Sequence, residues 1–230
     1  KVILMKLLSV SKESRPIYGR EDVKNSGLIL VDKGAHLTSH AVVSYIRRTL
    51  NIKSVGHLGT LDPFATGLLP ILIGGATKLA DEIMSNTKQY LFIIKLGEET
   101  DTLDLTGQVI KTEAVPNDFN KKIHDIRPKF IGEIEQVPPA YSALKMNGRP
   151  LYEYMRSTGK LPFEIETKKR TVYIDSFEVV SADFALKTLE IRVRCSKGTY
   201  VRSLARDIAY ELGTVGCCVS LRREMVSPWE

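Results

Sequence analysis

The chain has few cysteines, no long apolar run and no repeats. Of its 230 residues only Cys195, Cys217 and Cys218 are cysteine. The count is odd and no CxxC pair occurs, which excludes a disulfide framework and a thiolate zinc site. Cys217 and Cys218, next to each other in an apolar stretch, read as small apolar residues in a strand. Such usage suits a reducing compartment. The longest apolar run, Leu68 to Ala76, covers about nine residues against the ~20 a membrane helix needs. The apolar opening, Val2 to Val10, is interrupted by Lys6 and is not followed by a small-residue cleavage site. A cytoplasmic setting and no membrane partner are therefore expected. Aromatic residues make up only 7% of the chain, and no segment is of low complexity.

Hydrophobic residues reach 43%, enough for a core in one large domain or two small ones. Thirty-three Lys and Arg against 27 Asp and Glu give a net charge of +6. This mild basic excess is compatible with a polyanionic partner without demanding one. Residues 1–26 are polar and charged after the opening run and read as a lead-in or tail. The fold is expected over residues 27–230.

Leu28 to Val31 reads as a buried strand. Val42, Val43, Ile46 and Leu50 follow at helical spacing behind a cap at Thr38 or Ser39. Leu68 to Ile73 reads as a buried strand, Thr77 to Met84 as a short helix, and Tyr90 to Leu96 as a strand. A strand is expected over Thr106 to Ile110. A helix through Phe119, Ile123 and Ile126 ends before Pro128, and Pro150 opens another. Residues 171–180 and 185–195 alternate as a hairpin joined across Ser181 to Phe184. Val201, Leu204, Ala205, Ile208, Ala209 and Leu212 mark the clearest helix, with Thr199 as N-cap and Gly213 beyond its end. Strands in runs with isolated helices indicate an α+β fold with a mixed, mostly antiparallel sheet flanked by helices.

The most telling segment is Gly56-His57-Leu58-Gly59-Thr60-Leu61-Asp62-Pro63-Phe64-Ala65-Thr66-Gly67. Glycine permits unusual backbone angles, and Pro63 drives Asp62 towards an extended conformation. Such a loop can fix one carboxylate at one angle. The same residues also fit a helix start, with Asp62 as N-cap and Pro63 at N1.

The segment closely resembles the signature of the TruB family of pseudouridine synthases. The resemblance continues in family order through Gly97-Glu98-Glu99-Thr100-Asp101-Thr102-Leu103-Asp104, Pro138-Pro139-Ala140-Tyr141-Ser142-Ala143-Leu144-Lys145, Cys195-Ser196-Lys197-Gly198-Thr199-Tyr200-Val201-Arg202 and Leu221-Arg222-Arg223. It implies a pseudouridine synthase fold and isomerisation of the T-loop uridine at tRNA position 55. Neither cofactor nor metal is needed, the partner is the T-arm of tRNA, and the protein is expected to be a monomer. Asp62 aligns with the catalytic aspartate, a nucleophile or base at the ribose or the uracil. Tyr90 aligns with the tyrosine that stacks on the base, and Arg202 with the arginine that pairs with the aspartate. His57 aligns with a histidine that keeps the base out of its helix, and Leu221 with the leucine of the pocket floor. Tyr200 and Lys33 fall among the substrate-binding positions.

Plainer readings exist for several of these residues. Tyr90 fits an ordinary core and Arg202 a surface charge. Lys33 fits a solvated strand end. Lys168-Lys169-Arg170 fits a solvated face as well as a phosphate clamp. At residues 32–39 the chain departs from the family pattern: Lys33 is followed by Gly34 where relatives have proline. Many relatives continue into a small RNA-binding domain of the PUA type. The chain stops at Glu230, so recognition is expected from the catalytic domain. That absence favours tRNA over a guide-directed role in a protein–RNA particle. The intact set Asp62, Tyr90 and Arg202 favours an enzyme over a pure RNA binder.

Overall fold

The computed structural model describes residues 26–83, 87–161 and 165–230. They form two compact units. One comprises the described residues up to Lys88 together with Arg222–Glu230, and the other Gln89–Leu221. The expected lead-in lies outside the described residues except for Ser26. The fold is α+β, with a mixed, mostly antiparallel sheet flanked by helices.

In the first unit, β1 (Gly27–Lys33) pairs antiparallel with β3 (Thr66–Ile73) along its whole length, from Gly27 opposite Ile73 to Lys33 opposite Gly67. On its other edge β3 meets β2 (Val55–His57) at one end. At the other it pairs in parallel with Arg222 and Arg223 of β12 (Gly216–Val226). Between β1 and β2 lies α1 (Ser39–Leu50). Its start is set by Thr38, whose hydroxyl accepts the Ala41 N–H at 3.0 Å. Its end is set by Asn51 in the left-handed conformation. Leu28, Leu58, Leu72 and Ala76 form a buried cluster, against which Leu30, Ala80 and Trp229 pack. Each buried aliphatic side chain contributes roughly 1.5–3 kcal/mol.

In the second unit, β4 (Thr87–Leu96) alternates strictly, burying Tyr90, Phe92, Ile94 and Leu96. Further on, β7 (Gly132–Gln136) pairs with β10 (Arg170–Asp183), which forms a hairpin with β11 (Thr188–Ser196). Helix α5 (Val201–Glu211) buries Val201, Leu204, Ala205, Ile208 and Ala209. Gly216 opens β12 where a side chain would strike Ala209 and the Lys95 carbonyl.

Most of the expected elements are present, with local corrections. Asp62 and Pro63 start no helix. Their segment is a tight turn in which the Ala65 N–H donates to the Asp62 carbonyl at 3.1 Å. Thr199 does not cap α5: its hydroxyl donates to the Ser196 carbonyl, and Tyr200 holds the cap position without a side-chain bond. The expected helix at Thr77 begins earlier, as a 3-10 turn over Gly74–Leu79 followed by Ala80–Ile83; Met84 lies outside the described residues. The hairpin turn falls at residues 184–187, because Ser181, Ala182 and Asp183 still pair with β11. There the Asp183 carboxylate accepts the Leu186 N–H and closes the turn. The strand expected from Thr106 begins at Val109. Lys33 is buried, with 1% of its surface exposed.

The parallel contact between β3 and β12 requires Gly67. Its φ is +102°, and a Cβ there would collide with the Arg223 carbonyl and lie 2.8 Å from the Arg223 nitrogen. Gly67→Ala should cost more than about 2 kcal/mol, strain and collision combined. Gly213→Ala, at φ +84° with nothing within 4 Å, should cost only about 1 kcal/mol. Urea denaturation of both variants checks the difference.

Candidate active site

The first unit holds Asp62, His57 and Lys33, and the second holds Tyr90, Tyr200, Arg202 and Leu221. Asp62 is half-buried and sits in the turn between β2 and β3. The carbonyls around it are occupied one by one. Gly59 O accepts from Arg223 Nη2 at 3.1 Å, and Thr60 O from Arg223 Nη1 at 3.4 Å. Leu61 O accepts from the Ser39 hydroxyl at 3.1 Å, while Leu61 N–H donates back to that hydroxyl at 2.9 Å. Asp62 O closes the turn onto Ala65. Pro63 O accepts from Lys33 Nζ at 3.3 Å and from the His36 N–H at 2.7 Å. A segment with no regular secondary structure thus has a fixed backbone path from Gly59 to Pro63.

Two buried cations hold this path. Lys33 Nζ also donates to the carbonyls of Gly34 and Leu37. The sequence pointed to a solvated strand end because β1 finishes at Lys33. The Gly34–Thr38 connection instead folds back over the amine, with His36 in the left-handed conformation. Burial and the Arg223 charge pull the Lys33 amine down to about 8, against the opposing attraction of Asp62. Arg223, 1% exposed, completes its set with Nε donating to Leu68 O at 2.7 Å. His57 lies on β2 opposite Ile71, and its Nδ1 is buried without a hydrogen-bond partner. Burial, then the charges of Arg223 and His40, push its pKa below the usual histidine value. The ring is accordingly neutral at pH 7.

In the second unit Arg202 stands in the first turn of α5 with 4% of its surface exposed. It donates to Thr102 O at 2.6 Å and Tyr141 O at 2.9 Å, and pairs with the Asp104 carboxylate at 3.4 Å. Asp104, equally buried, accepts from the Thr102 hydroxyl and from both the N–H and the hydroxyl of Thr106. A cation at a helix N-terminus is disfavoured by the helix dipole, and Asp104 offsets that. Tyr200 is fixed through its backbone: its N–H donates to Gln136 Oε1 at 2.7 Å, and its carbonyl accepts from Gln136 Nε2 at 3.0 Å. The Arg170 guanidinium lies 5.0 Å over the Tyr200 ring. In the basic run, Lys169 is exposed and Arg170 is partly buried against that ring. Tyr90 is 7% exposed on the inner face of β4, and Leu221 is buried in β12.

Sequence reasoning gave no role to Asp104 or Arg223. Both lie inside segments that carried the resemblance, the first in Thr102-Leu103-Asp104 and the second in Leu221-Arg222-Arg223. A buried charge needs partners; Arg223 finds them in the distant carbonyls of Leu68, Thr60 and Gly59, and Asp104 in Thr102, Thr106 and the distant Arg202. Among the described residues, no group of three or more His, Cys, Asp or Glu is placed to hold a metal ion, and no helix is long and apolar enough to cross a membrane.

The fold is similar to that of solved structures. The chain superposes on a chain of the Cbf5-Nop10-Gar1 complex with a TM-score of 0.65, at 29% identity, covering 88% of this chain and 49% of that one. It also superposes on a chain of an H/ACA RNP bound to a substrate RNA containing 2'-deoxyuridine, with a TM-score of 0.63, at 27% identity over 95% of this chain and 52% of that one. The fold is therefore that of the pseudouridine synthases. The model of the TruB family pseudouridylate synthase (N-terminal domain) matches residues 47–201, and the chain belongs to that family. The tRNA pseudouridine synthase B of Hydrogenovibrio crunogenus is 44% identical over 200 residues, 87% of this chain and 64% of the relative. That of Francisella tularensis is 41% identical over 206 residues, 89% of this chain and 66% of the relative. That of Opitutus terrae is 44% identical over 197 residues, 86% and 79%. The chain spans just under two thirds of the length of the first two.

The electrostatics of the loop can be tested directly. Lys33 Cε should titrate by NMR with a midpoint near 8. In Arg223→Gln the midpoint should move up, because a neighbouring positive charge is gone. Between about 8 and the ordinary 10.5 the unfolded chain binds more protons at this site than the folded one. The stability burden of the buried amine therefore lightens as pH rises through that window. A midpoint above 10 in both proteins would contradict the placement of the amine.

Proposed function

We propose that this chain isomerises uridine to pseudouridine in the T-loop of tRNA, at position 55. The reading rests on membership of the TruB family, and the observation that supports it is the fixed backbone from Gly59 to Pro63, which holds Asp62, the residue that resembles the family's catalytic aspartate. In the reaction the N-glycosidic bond breaks, the uracil turns, and a bond forms from ribose C1' to C5. The C5 proton leaves and a proton ends on N1, so no electrons are exchanged and no cofactor is required.

Asp62 acts as nucleophile or base at the ribose or the uracil. A uridine within a folded loop is beyond its reach, so the nucleotide is flipped out at a cost of a few kcal/mol. Stacking on the Tyr90 ring offsets roughly 1–3 kcal/mol of that. Arg202 takes the part of the arginine that, by the family resemblance, pairs with the catalytic aspartate. Neutral His57 holds the extruded base out of its helix, Leu221 lines the pocket floor, and Tyr200 contacts the substrate. Lys33, enclosed by three carbonyls, acts through the loop rather than on the RNA. The partner is the T-arm of tRNA, the working form is a monomer, and the setting is the cytoplasm.

Incubation with an unmodified tRNA transcript followed by pseudouridine mapping tests this. Modification should be confined to position 55. Asp62→Asn should lower turnover by ~1,000-fold or more, about 4 kcal/mol of lost transition-state stabilisation, with RNA affinity nearly unchanged. Turnover within tenfold of the parent would remove Asp62 from the chemistry. Tyr90→Phe should bind RNA normally and Tyr90→Leu should not; equal, near-normal activity in both would leave Tyr90 an ordinary core residue. Arg202→Met should lower turnover more than binding. Weak affinity with a normal single-turnover rate would make Arg202 a phosphate contact instead. A T-arm hairpin should be modified nearly as well as whole tRNA, with binding that weakens as salt rises. An inert hairpin beside an active tRNA would place essential contacts outside the T-arm.

A further inference from the structure

We propose that Arg223 is the positioning residue of Asp62, setting the angle of the carboxylate through the backbone of Gly59 and Thr60. The inference rests on the reading of Asp62 as the reacting group. Arg223 reaches the loop from β12, more than 160 residues away in sequence. Its three donating nitrogens each meet a different carbonyl, Leu68 in β3 and Gly59 and Thr60 in the loop. The side chain is 1% exposed, which leaves it out of reach of RNA phosphates. Its backbone is fixed in turn, because residue 223 pairs with Gly67 at a separation only glycine permits. Arg223 is therefore tied at both ends: its main chain to β3, its fork to two residues, Gly59 and Thr60, that lead into the Asp62 turn.

A lysine cannot do the same work. It would keep the charge, but its single nitrogen cannot reproduce a planar fork spread over three carbonyls. Gly59 matters for the same reason. Its φ is +88°, and a Cβ would stand 3.4 Å from Arg223 Nη1. Alanine there strains the same turn from the loop side and leaves Arg223 intact.

The test compares wild type, Asp62→Asn, Arg223→Lys and Gly59→Ala in one assay, reading the single-turnover rate at saturating tRNA and the RNA Kd. A misplacement of about 1 Å costs on the order of 100-fold in rate. Arg223→Lys should therefore fall roughly 10- to 100-fold in single-turnover rate, with Kd within about threefold of wild type. Gly59→Ala should show the same split more weakly. A merely structural role would lower the fraction of folded protein without changing the rate of the folded fraction. If Arg223→Lys fails to fold, Gly59→Ala decides. Wild-type rates in the folded variants beside an inactive Asp62→Asn overturn the inference alone, and so does a lost affinity with a normal rate. An inactive wild type, or an active Asp62→Asn, overturns the reading of Asp62 and the inference with it.

Discussion

Burying the Arg223 guanidinium against backbone carbonyls is the constraint on which the Asp62 loop depends. Desolvating a cation costs several kcal/mol, and here the guanidinium donates to three carbonyl dipoles. The Gly59 and Thr60 carbonyls need the cation in return, since both residues lie outside the helices and strands. Removing the guanidinium would leave three carbonyls to find other donors, at roughly 1–3 kcal/mol for each that stays buried and unpaired. The same logic holds on the far side of Asp62, where Lys33 supplies donors to Gly34, Leu37 and Pro63. Each cation holds a segment of chain that has no regular secondary structure of its own.

The second unit uses the device again with an anion added. Arg202 joins Thr102, Asp104 and Tyr141, three residues spread over two loops. Asp104 is itself saturated by Thr102 and Thr106. Gln136 performs the equivalent task without charge, holding both backbone groups of Tyr200 with one amide. Polar networks of this kind specify one arrangement only when every member is satisfied. Here they fall on the segments that carry the family's motifs, while the strands and helices behind them are built from ordinary alternating and helical burial.

Those strands and helices were legible because their signals are local. β4 alternates residue by residue, and α5 repeats at helical spacing, so both could be read in place. The Thr38 cap was equally visible. What differed from the local signals depended on contacts those signals do not name. Asp62-Pro63 has the chemistry of a helix start, yet its neighbours are gripped by Arg223, Ser39 and Lys33, which leaves a turn. Thr199 fits an N-cap, but its hydroxyl is turned back to Ser196. Lys33 has the position of a strand end and the burial of a core residue, because the Gly34–Thr38 connection folds over it. Hairpin pairing ran past Ser181 because the strands carry register shifts that absorb the irregularity. Asp62, Tyr90 and Arg202 were singled out by resemblance alone, since a lone carboxylate, a strand tyrosine and a helix arginine are each ordinary in isolation.

The Asp62 turn is a rigid part of the fold and not a mobile loop. Native-state hydrogen exchange of the Leu61 and Ala65 amides tests it most directly, because Leu61 N–H donates to the Ser39 hydroxyl and Ala65 N–H to the Asp62 carbonyl. Both amides should be protected nearly as well as those of β3, exchanging only when the surrounding structure opens. Exchange at the rate of an open loop, with β3 still protected, would show that the turn is mobile.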